Sequence, residues 1–178
     1  MGTAREPGPA KYFAGLLSSN REILAGVETD LVEVLGEIDG RSVVVSWAAS
    51  EYYEREMGSG LLRGFVSFSC LASPEDLATV KLRTQQIEDR YRTSTFGSRR
   101  VNLDPGYVDA YKVVLASTKN AGQRLYLRSG IYAEATLIYH DGDFHGLAYT
   151  YPDYLWAETL AFFTRLRAAY LEQLRRGE

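Results

Sequence analysis

The residues with the clearest chemical potential lie between Arg99 and Glu134, where charged and phenolic side chains interrupt predicted β-strands. In the strand predicted over Ile131–His140, period-two alternation places Tyr132, Glu134 and Thr136 on one face. A carboxylate beside phenols and cations suits acid–base chemistry or the binding of a charged ligand. We therefore expect Glu134 to act as a general acid or base, with Tyr132 orienting the substrate.

The two strands predicted before this one supply the cations. Arg124 and Tyr126 share a face of one strand, Lys112 lies on the strand predicted over residues 111–118, and Lys119 follows it. A guanidinium group can hold a carboxylate or phosphate through two parallel hydrogen bonds, and an ammonium group adds a point charge. If the three strands are neighbours, one sheet face binds an anion through Lys119 and Arg124. The ligand-binding residues expected on this face are Lys112, Lys119, Arg124, Tyr126 and Thr136.

A proline–glycine pair in the same stretch predicts a tight turn. Pro105 presets the backbone for the first central position of a type II turn, and Gly106 accepts the positive φ of the second. The turn does not explain the polar residues around it. We expect Asn102 and Tyr107 to bind the ligand from this tip, and Asp104 to take part in catalysis.

The same pattern has an explanation without a ligand, which is a solvated sheet face with cross-strand ion pairs. The abundance of tyrosine, with 13 residues in the chain, favours a functional face, because a solvated face rarely needs so many amphipathic rings. The polar, aromatic loop over residues 52–58 is a further candidate part of the site. If the site is functional, we expect Glu134→Gln to leave folding intact and to abolish stabilisation by ligand, whereas Arg124→Ala weakens only anionic ligands.

Motifs for several common chemistries are missing from the sequence. There is no phosphate-binding P-loop, no dinucleotide-binding glycine pattern before a helix, and no nucleophile elbow. Residues 140–145 include two His and two Asp, types that bind divalent metals. However, Asp141-Gly142 is also what a two-residue hairpin turn requires. We therefore expect no metal site there.

Composition predicts one globular domain. The length of 178 residues suits a single domain, and 46% hydrophobic with 24% charged residues excludes a disordered chain. The net charge of −3 argues against a nucleic-acid partner. Because Cys70 is the one cysteine, and because neither a signal peptide nor a membrane-length apolar run is present, we expect a cytoplasmic protein without a membrane partner.

The order of predicted elements indicates an α+β fold. A β-α-β-β-α order, followed by a strand near Arg100, predicts a ferredoxin-like βαββαβ core. Later strands extend the antiparallel sheet, and a C-terminal helix begins near Asp153. Residues 1–10 are expected to form a flexible N-terminal arm, and residues 11–178 a single α+β domain. The other strands are predicted over residues 12–17, 42–48, 62–70, 124–127 and 144–149.

Several segments form an ordered set along the chain. They are YFAGLLSS, YYEREMG, KLRT, NLDPGYVD, KVVLASTKN, RLYLRSGIYAEATLIY and TYPDY. From Lys11 to about Leu174 this set resembles an uncharacterised prokaryotic family of similar length, the domain-of-unknown-function 4416 family. The resemblance implies no particular activity. Relatives are sometimes labelled GTP-binding, but Ala121 stands where the guanine-recognition pattern T-K-x-D requires an aspartate.

These observations predict a small soluble enzyme or ligand-binding protein for an anionic small molecule, phosphorylated or nucleotide-like. The alternative is a non-catalytic interaction module, most simply a homodimer, because Tyr and Arg are favoured at interfaces. Binding of single-stranded nucleic acid on stacked tyrosines, or of GTP, ranks below these two functions. The residues indicate no particular cofactor.

Overall fold

The computed structural model describes residues 2–49, 53–93 and 97–177, so Tyr52 of the predicted polar loop lies outside them. The strands are β1 (Ala10–Ser18), β2 (Ile38–Arg41), β3 (Val45–Ser46), β4 (Leu62–Ala72), β5 (Asn102–Val108), β6 (Lys112–Ser117), β7 (Leu125–Arg128), β8 (Ile131–His140) and β9 (Asp143–Gly146). The helices are α1 (Arg21–Leu35), α2 (Glu54–Met57), α3 (Leu77–Arg90) and α4 (Ala157–Arg176). Single 3-10 turns, Pro74–Asp76 and Pro152–Leu155, precede α3 and α4.

Within the described residues the strands form one sheet in the order β2-β4-β1-β5-β6-β8-β7. Neighbouring strands are antiparallel throughout, and the short strands β3 and β9 pair with β4 and β8. Helix α1 connects β1 to β2, and helix α3 connects β4 to β5. The predicted mixed α+β class, with an antiparallel sheet and a C-terminal helix, is therefore confirmed.

Strand β1 lies in the interior of the sheet, and all of its residues are buried. Its side chains Tyr12 and Leu16 pack into one core with apolar residues of α1 and α3. On the opposite face, Phe13 packs edge-on against Phe163 of α4, with ring centroids 4.9 Å apart. Helices therefore cover both faces of the sheet, which explains the nearly continuous apolar sequence of β1.

The turn predicted at Pro105-Gly106 is wrong, because both residues lie inside β5. Pro105 pairs with Ala14 of β1, and the pairing of β5 with β6 begins only at Gly106. No strand on the β6 side therefore needs the N–H that proline lacks. Gly106 is required by close packing, because a Cβ there would lie 2.3 Å from the carbonyl oxygen of Val114.

Two predicted elements, the strand over residues 42–48 and the start of the C-terminal helix, also differ from the structure. Helix α1 begins after Asn20, whose side chain accepts two backbone hydrogen bonds as the N-cap. The strand predicted over residues 42–48 is replaced by the two short strands β2 and β3. Asp153 does not cap α4, which begins at Ala157, because it belongs to the preceding 3-10 turn.

The hairpin turn predicted at Asp141-Gly142 is confirmed. Strands β8 and β9 pair across it, and the two turn residues have positive φ angles of 51° and 88°. The rings of His140 and His145 stack beside this turn with centroids 3.8 Å apart. Across the described ranges, no group of three or more His, Cys, Asp or Glu side chains is arranged to hold a metal ion.

Residues 2–9 precede the sheet without regular secondary structure and are exposed to solvent. Their flexibility stays a prediction, as does the assignment of the remaining chain to a single domain. In the part of the chain that the structure describes, no helix combines the length and apolarity needed to cross a membrane.

Candidate functional site

A cavity of about 380 Å³ lies where β5 and β6 separate. The two strands pair only between Gly106 and Val108 on the β5 side, so the start of β5 and the end of β6 diverge. Helix α3, strand β8 and the segments around Trp47 and Tyr154 close the gap. The volume falls within the range typical of small-molecule sites.

One wall of the cavity is formed by charged side chains of α3 that hold a residue of β5. Lys81, Gln85 and Glu88 lie on one side of the helix because they are spaced four and three residues apart. Lys81 Nζ donates a hydrogen bond to Leu103 O at 2.6 Å, and the Leu103 N–H donates to Glu88 Oε1 at 2.6 Å. These side chains replace the strand partner that β6 does not provide at this position.

Two donors in this wall have unused hydrogen-bonding capacity. Lys81 is only 7% exposed, and within the described residues its ammonium group forms no ion pair and one hydrogen bond, to Leu103. Asn102 is also buried, and its Oδ1 accepts a hydrogen bond from Arg99 Nη1 at 3.1 Å. Its Nδ2 has no partner within hydrogen-bond distance among the described residues, although the Asn102 side chain lies close enough to Asp104 to help lower the pKa of that carboxyl group. An ammonium group has three N–H donors, so Lys81 retains further capacity.

The carboxylates of Glu88 and Asp104 line the same cavity, and their pKa values shift in opposite directions. Burial raises the pKa of Glu88 above its usual value, and the positive charges of Lys81 and Arg99 only partly offset this effect. Burial would also raise the pKa of Asp104, but the charges of Arg63 and Lys81 hold it below its usual value. Asp104 is therefore the more acidic group, and Glu88 is the group that retains a proton more readily.

A second wall contains Arg63, whose side chain is 2% exposed. Its Nη1 donates to Asp104 Oδ2 at 2.9 Å, and its Nε lies 3.0 Å from Asp153 Oδ2. Its Nη2 donates to the hydroxyl of Tyr154 at 3.3 Å. The absence of a side chain at Gly15 makes room for the guanidinium group, because a Cβ there would approach Nη2 to 2.9 Å. Arg63 is thus held between two carboxylates.

Arg124 and Glu134, which the sequence places on one face, form a buried ion pair. Arg124 Nε donates to Glu134 Oε2 at 2.9 Å, and the two side chains are 4% and 2% exposed. Nη1 donates to Ser117 Oγ at 2.7 Å and to Lys119 O at 2.9 Å, while Nη2 donates to the Tyr151 hydroxyl at 2.7 Å. Protein acceptors therefore engage each nitrogen of the guanidinium group, which holds the end of β6 and the segment at Tyr151 in place.

Aromatic side chains line the cavity on the side of the loop that precedes β4. Trp47 packs edge-on against Tyr53 and Trp156, with ring centroids 5.7 Å and 6.0 Å apart. Nearby, Arg99 makes a bidentate contact with Glu56 through Nε at 2.9 Å and Nη2 at 2.6 Å. This side of the cavity suits a planar or apolar part of a ligand.

The structure brings together only part of the set predicted from the sequence. The predicted residues that line the cavity are Asn102, Asp104, Lys119, Arg124 and Glu134. The predicted residues outside its lining are Lys112, Tyr107, Tyr126, Tyr132 and Thr136. The positions of these five residues outside the lining give no support to a role for them in this cavity.

Most members of the second group are engaged elsewhere in the fold. Lys112 forms an ion pair with Asp109. Tyr107 packs against the core beneath α1 and α3. Tyr126 and Tyr132 form an edge-on ring pair across β7 and β8, with centroids 5.4 Å apart. The three C-terminal strands are neighbours, as the predicted face requires, but only Lys119, Arg124 and Glu134 of its predicted residues line this cavity, and a binding role for the others stays a prediction.

Thr136 is displaced by an irregularity in β8. The consecutive residues Val113 and Val114 of β6 pair with Leu137 and Ala135, so Thr136 is an extra residue between them. Residues after this bulge lie on the opposite face from the one that strict alternation predicts. Leu137 therefore packs in the core beside α4, whereas Ile131 before the bulge packs in the core beside α1 and α3. The hydroxyl of Thr136 is buried without a hydrogen-bond partner among the described residues.

Five charged residues of the cavity wall were not predicted from the sequence, which are Arg63, Lys81, Glu88, Arg99 and Asp153. A signal for two of them is present, because Lys81 and Glu88 are seven residues apart and each directly follows a buried apolar residue of α3. Arg63 stands two residues before the buried Phe65 on a strand with both faces covered, which also places it inside.

A family model described as a domain of unknown function, DUF4416, matches residues 8–170 of the 178-residue chain. The match includes every residue that lines the cavity. Comparison with curated proteins finds no match. The resemblance carried by the ordered sequence segments is confirmed, and the chain belongs to the DUF4416 family.

Proposed function

We propose that this protein binds a small molecule through an anionic group, a carboxylate or a phosphate, inside the cavity between β5 and β6. The anion accepts hydrogen bonds from Lys81 Nζ and Asn102 Nδ2. The observation that carries this proposal is the presence of two buried donors with unused capacity in one cavity wall.

The energetics of the wall favour a bound anion. A buried polar group without a partner destabilises the folded state by about 1–3 kcal/mol, and a charged group by more. Residues that lower stability are typical of functional sites, because selection retains them for binding or catalysis. An anionic ligand supplies both the missing acceptors and the counter-charge for the ammonium group of Lys81.

The arginines of the cavity are already neutralised by the chain itself. Arg63, Arg99 and Arg124 each form an ion pair with a carboxylate. Lys81 differs from them, because no described carboxylate forms an ion pair with it. We therefore assign the anchoring role to Lys81, and we treat Arg124 as a positioning residue instead of the anion-binding residue that the sequence suggests.

The remainder of the ligand lies toward the aromatic side chains. Trp47, Tyr53 and Tyr151 line the cavity and offer ring faces and edges to a planar or sugar-like group. Sugar phosphates, nucleotides and ring-bearing carboxylic acids combine such a group with an anion. These classes define the panel for a ligand screen.

Lys81→Met tests the proposal directly. Methionine keeps the unbranched apolar stem of lysine and removes the ammonium group, so the protein is expected to fold while losing its anion anchor. A ligand present at 100 times its Kd raises the free energy of unfolding of the wild type by about 2.7 kcal/mol. We expect the melting-temperature shift caused by each anionic hit of the panel to disappear in Lys81→Met, as measured by thermal unfolding with and without ligand.

The matched control is Lys112→Met, because Lys112 lies outside the cavity lining and its side chain is 37% exposed. This variant should retain the full ligand-induced shift. Equal shifts in Lys81→Met and in the wild type would contradict the proposal.

A second candidate function is a homodimer formed through the edge strand β7. Leu125 and Tyr126 on this strand are 74% and 61% exposed, and an exposed apolar edge strand is a template for pairing with another chain. Light scattering at high protein concentration separates this candidate from a monomer, and a dimer is compatible with ligand binding in the cavity.

Two further predictions from the sequence, a ferredoxin-like core and a cytoplasmic location, also remain proposals. The segment from β1 to β5 is proposed to be ferredoxin-like, supported by the strand order β2-β4-β1-β5 and by the helices α1 and α3, which pack in one core. The cytoplasm is the proposed compartment, supported by the single, exposed and unpaired Cys70.

A further inference from the structure

Building on the proposed function, we infer that Glu88 takes up a proton when an anion binds beside it. The cavity then binds an anion and a proton together, and Glu88 is the residue that couples the two.

The geometry places Glu88 next to the proposed anion. Lys81 and Glu88 hold the C=O and the N–H of the same residue, Leu103, each at 2.6 Å. The N–H and C=O of one residue in a strand point to the same side, so the two side chains approach β5 side by side. Glu88 Oε2 accepts no hydrogen bond from any described residue, and Glu88 lines the cavity. An anion on Lys81 therefore faces the free side of this carboxyl group.

The charged groups around Glu88 determine whether a bound anion raises or lowers the pKa of this carboxyl group. Burial raises the pKa of Glu88, and Asp104 on β5 raises it further. Lys81 on the same helix, the hydrogen bond from the Leu103 N–H and Arg99 before β5 lower it. Across the cavity, Arg124 lies just before β7 and Glu134 lies on β8. These two side chains form an ion pair, so their charges neutralise each other.

A bound anion cancels the positive charge of Lys81 and adds a negative charge of its own. Both changes disfavour the ionised form of Glu88, so its pKa rises and the carboxylate takes a proton from the solvent. The neutral carboxyl group then has an O–H that can donate a hydrogen bond to the anion. By linkage, a lower pH must tighten anion binding, by up to about tenfold per pH unit for one coupled proton.

Isothermal titration calorimetry with inorganic sulfate tests this inference. Sulfate neither gains nor loses a proton between about pH 5 and pH 8. Among side chains, only histidine has an unperturbed pKa that lies in this range. Titrations in two buffers of different ionisation enthalpy give the number of protons taken up per sulfate bound. We expect the wild type to take up a proton over part of this window, and its affinity to rise as the pH falls.

Glu88→Gln is the decisive variant, because glutamine keeps the shape and the oxygen that accepts the Leu103 N–H. It should bind sulfate without proton uptake and with an affinity that is flat in pH. Sulfate binding by the wild type with no proton uptake, or with the same uptake in Glu88→Gln, overturns the inference and leaves the proposed anion site intact. Equal sulfate binding by the wild type and by Lys81→Met overturns the anion site itself.

Discussion

Replacing Arg63 with methionine is expected to lower the free energy of unfolding by about 3–5 kcal/mol, the effect of removing one partner from a buried ion pair. Arg63 lies between Asp104 and Asp153, and the side chains of Arg63 and Asp153 are 2% and 3% exposed. Methionine fills much of the same volume but leaves Asp153 buried without its counter-charge. Urea unfolding monitored by circular dichroism measures the difference, provided that the m value is unchanged.

The loss in free energy of unfolding caused by Arg63→Met should be smaller at acidic pH than at neutral pH. Burial raises the pKa of Asp153, and the positive charge of Arg63 is the largest effect that lowers it, so loss of Arg63 raises this pKa further. A carboxyl group whose pKa is raised by folding stabilises the folded state below that pKa, and this stabilisation is lost as the pH rises through it. Unfolding measured at acidic and neutral pH is therefore expected to show the larger deficit at neutral pH.

The control for this prediction is Arg41→Met. Arg41 pairs with Glu28 at the surface with 57% of its side chain exposed, so its loss should change stability by less than about 1 kcal/mol. A double variant, Arg63→Met with Asp153→Asn, should recover part of the loss because it removes the uncompensated carboxylate. An Arg63→Met protein as stable as Arg41→Met would contradict the structural account.

Glu134→Gln is expected to destabilise the protein by a comparable amount, about 3–5 kcal/mol. The change removes the counter-charge of Arg124, a side chain that is 4% exposed and cannot reach water without disrupting its contacts to Ser117 and Tyr151. The sequence alone leads to the opposite expectation, that this variant folds normally. The burial of the pair changes that expectation, because glutamine can accept a hydrogen bond from Arg124 but cannot neutralise it.

Thermal and urea unfolding of Glu134→Gln, Arg124→Met and the double variant check this prediction. Each single variant leaves one buried charge, whereas the double variant leaves none. The double variant should therefore be more stable than the sum of the single losses implies. A Glu134→Gln protein with wild-type stability would contradict the structural role of Glu134 and would support the acid–base role suggested by the sequence.

Local patterns predict those parts of the fold that local chemistry determines. The Asp141-Gly142 turn follows from the positive φ angles that a two-residue hairpin requires. The same reasoning fails at Pro105-Gly106, where the glycine is required by the approach of Val114 from another strand. A contact of that kind joins distant parts of the chain, and no local pattern contains it.

In the candidate site, too, local sequence patterns predict some features, whereas contacts between distant parts of the chain determine the others. Alternation along a strand predicts that Glu134 and Arg124 lie together, and their ion pair forms. The bulge at Thr136 and the separation of β5 from β6 depend on pairing between strands, so the sequence does not reveal them. Lys81 was not predicted as a site residue because a lysine on a helix usually faces solvent. Its burial follows from the missing strand partner of Leu103.

The most direct test of the anion site is a sulfate titration followed by NMR of the ¹⁵N-labelled protein. The side-chain amide of Asn102 and the backbone amide of Leu103 report on the two donors, because Asn102 supplies one of them and Leu103 contacts Lys81. We predict that both resonances shift along one saturation curve in the wild type and in Lys112→Met, and that neither shifts in Lys81→Met. Shifts confined to residues outside the cavity, or unchanged in Lys81→Met, would contradict the account.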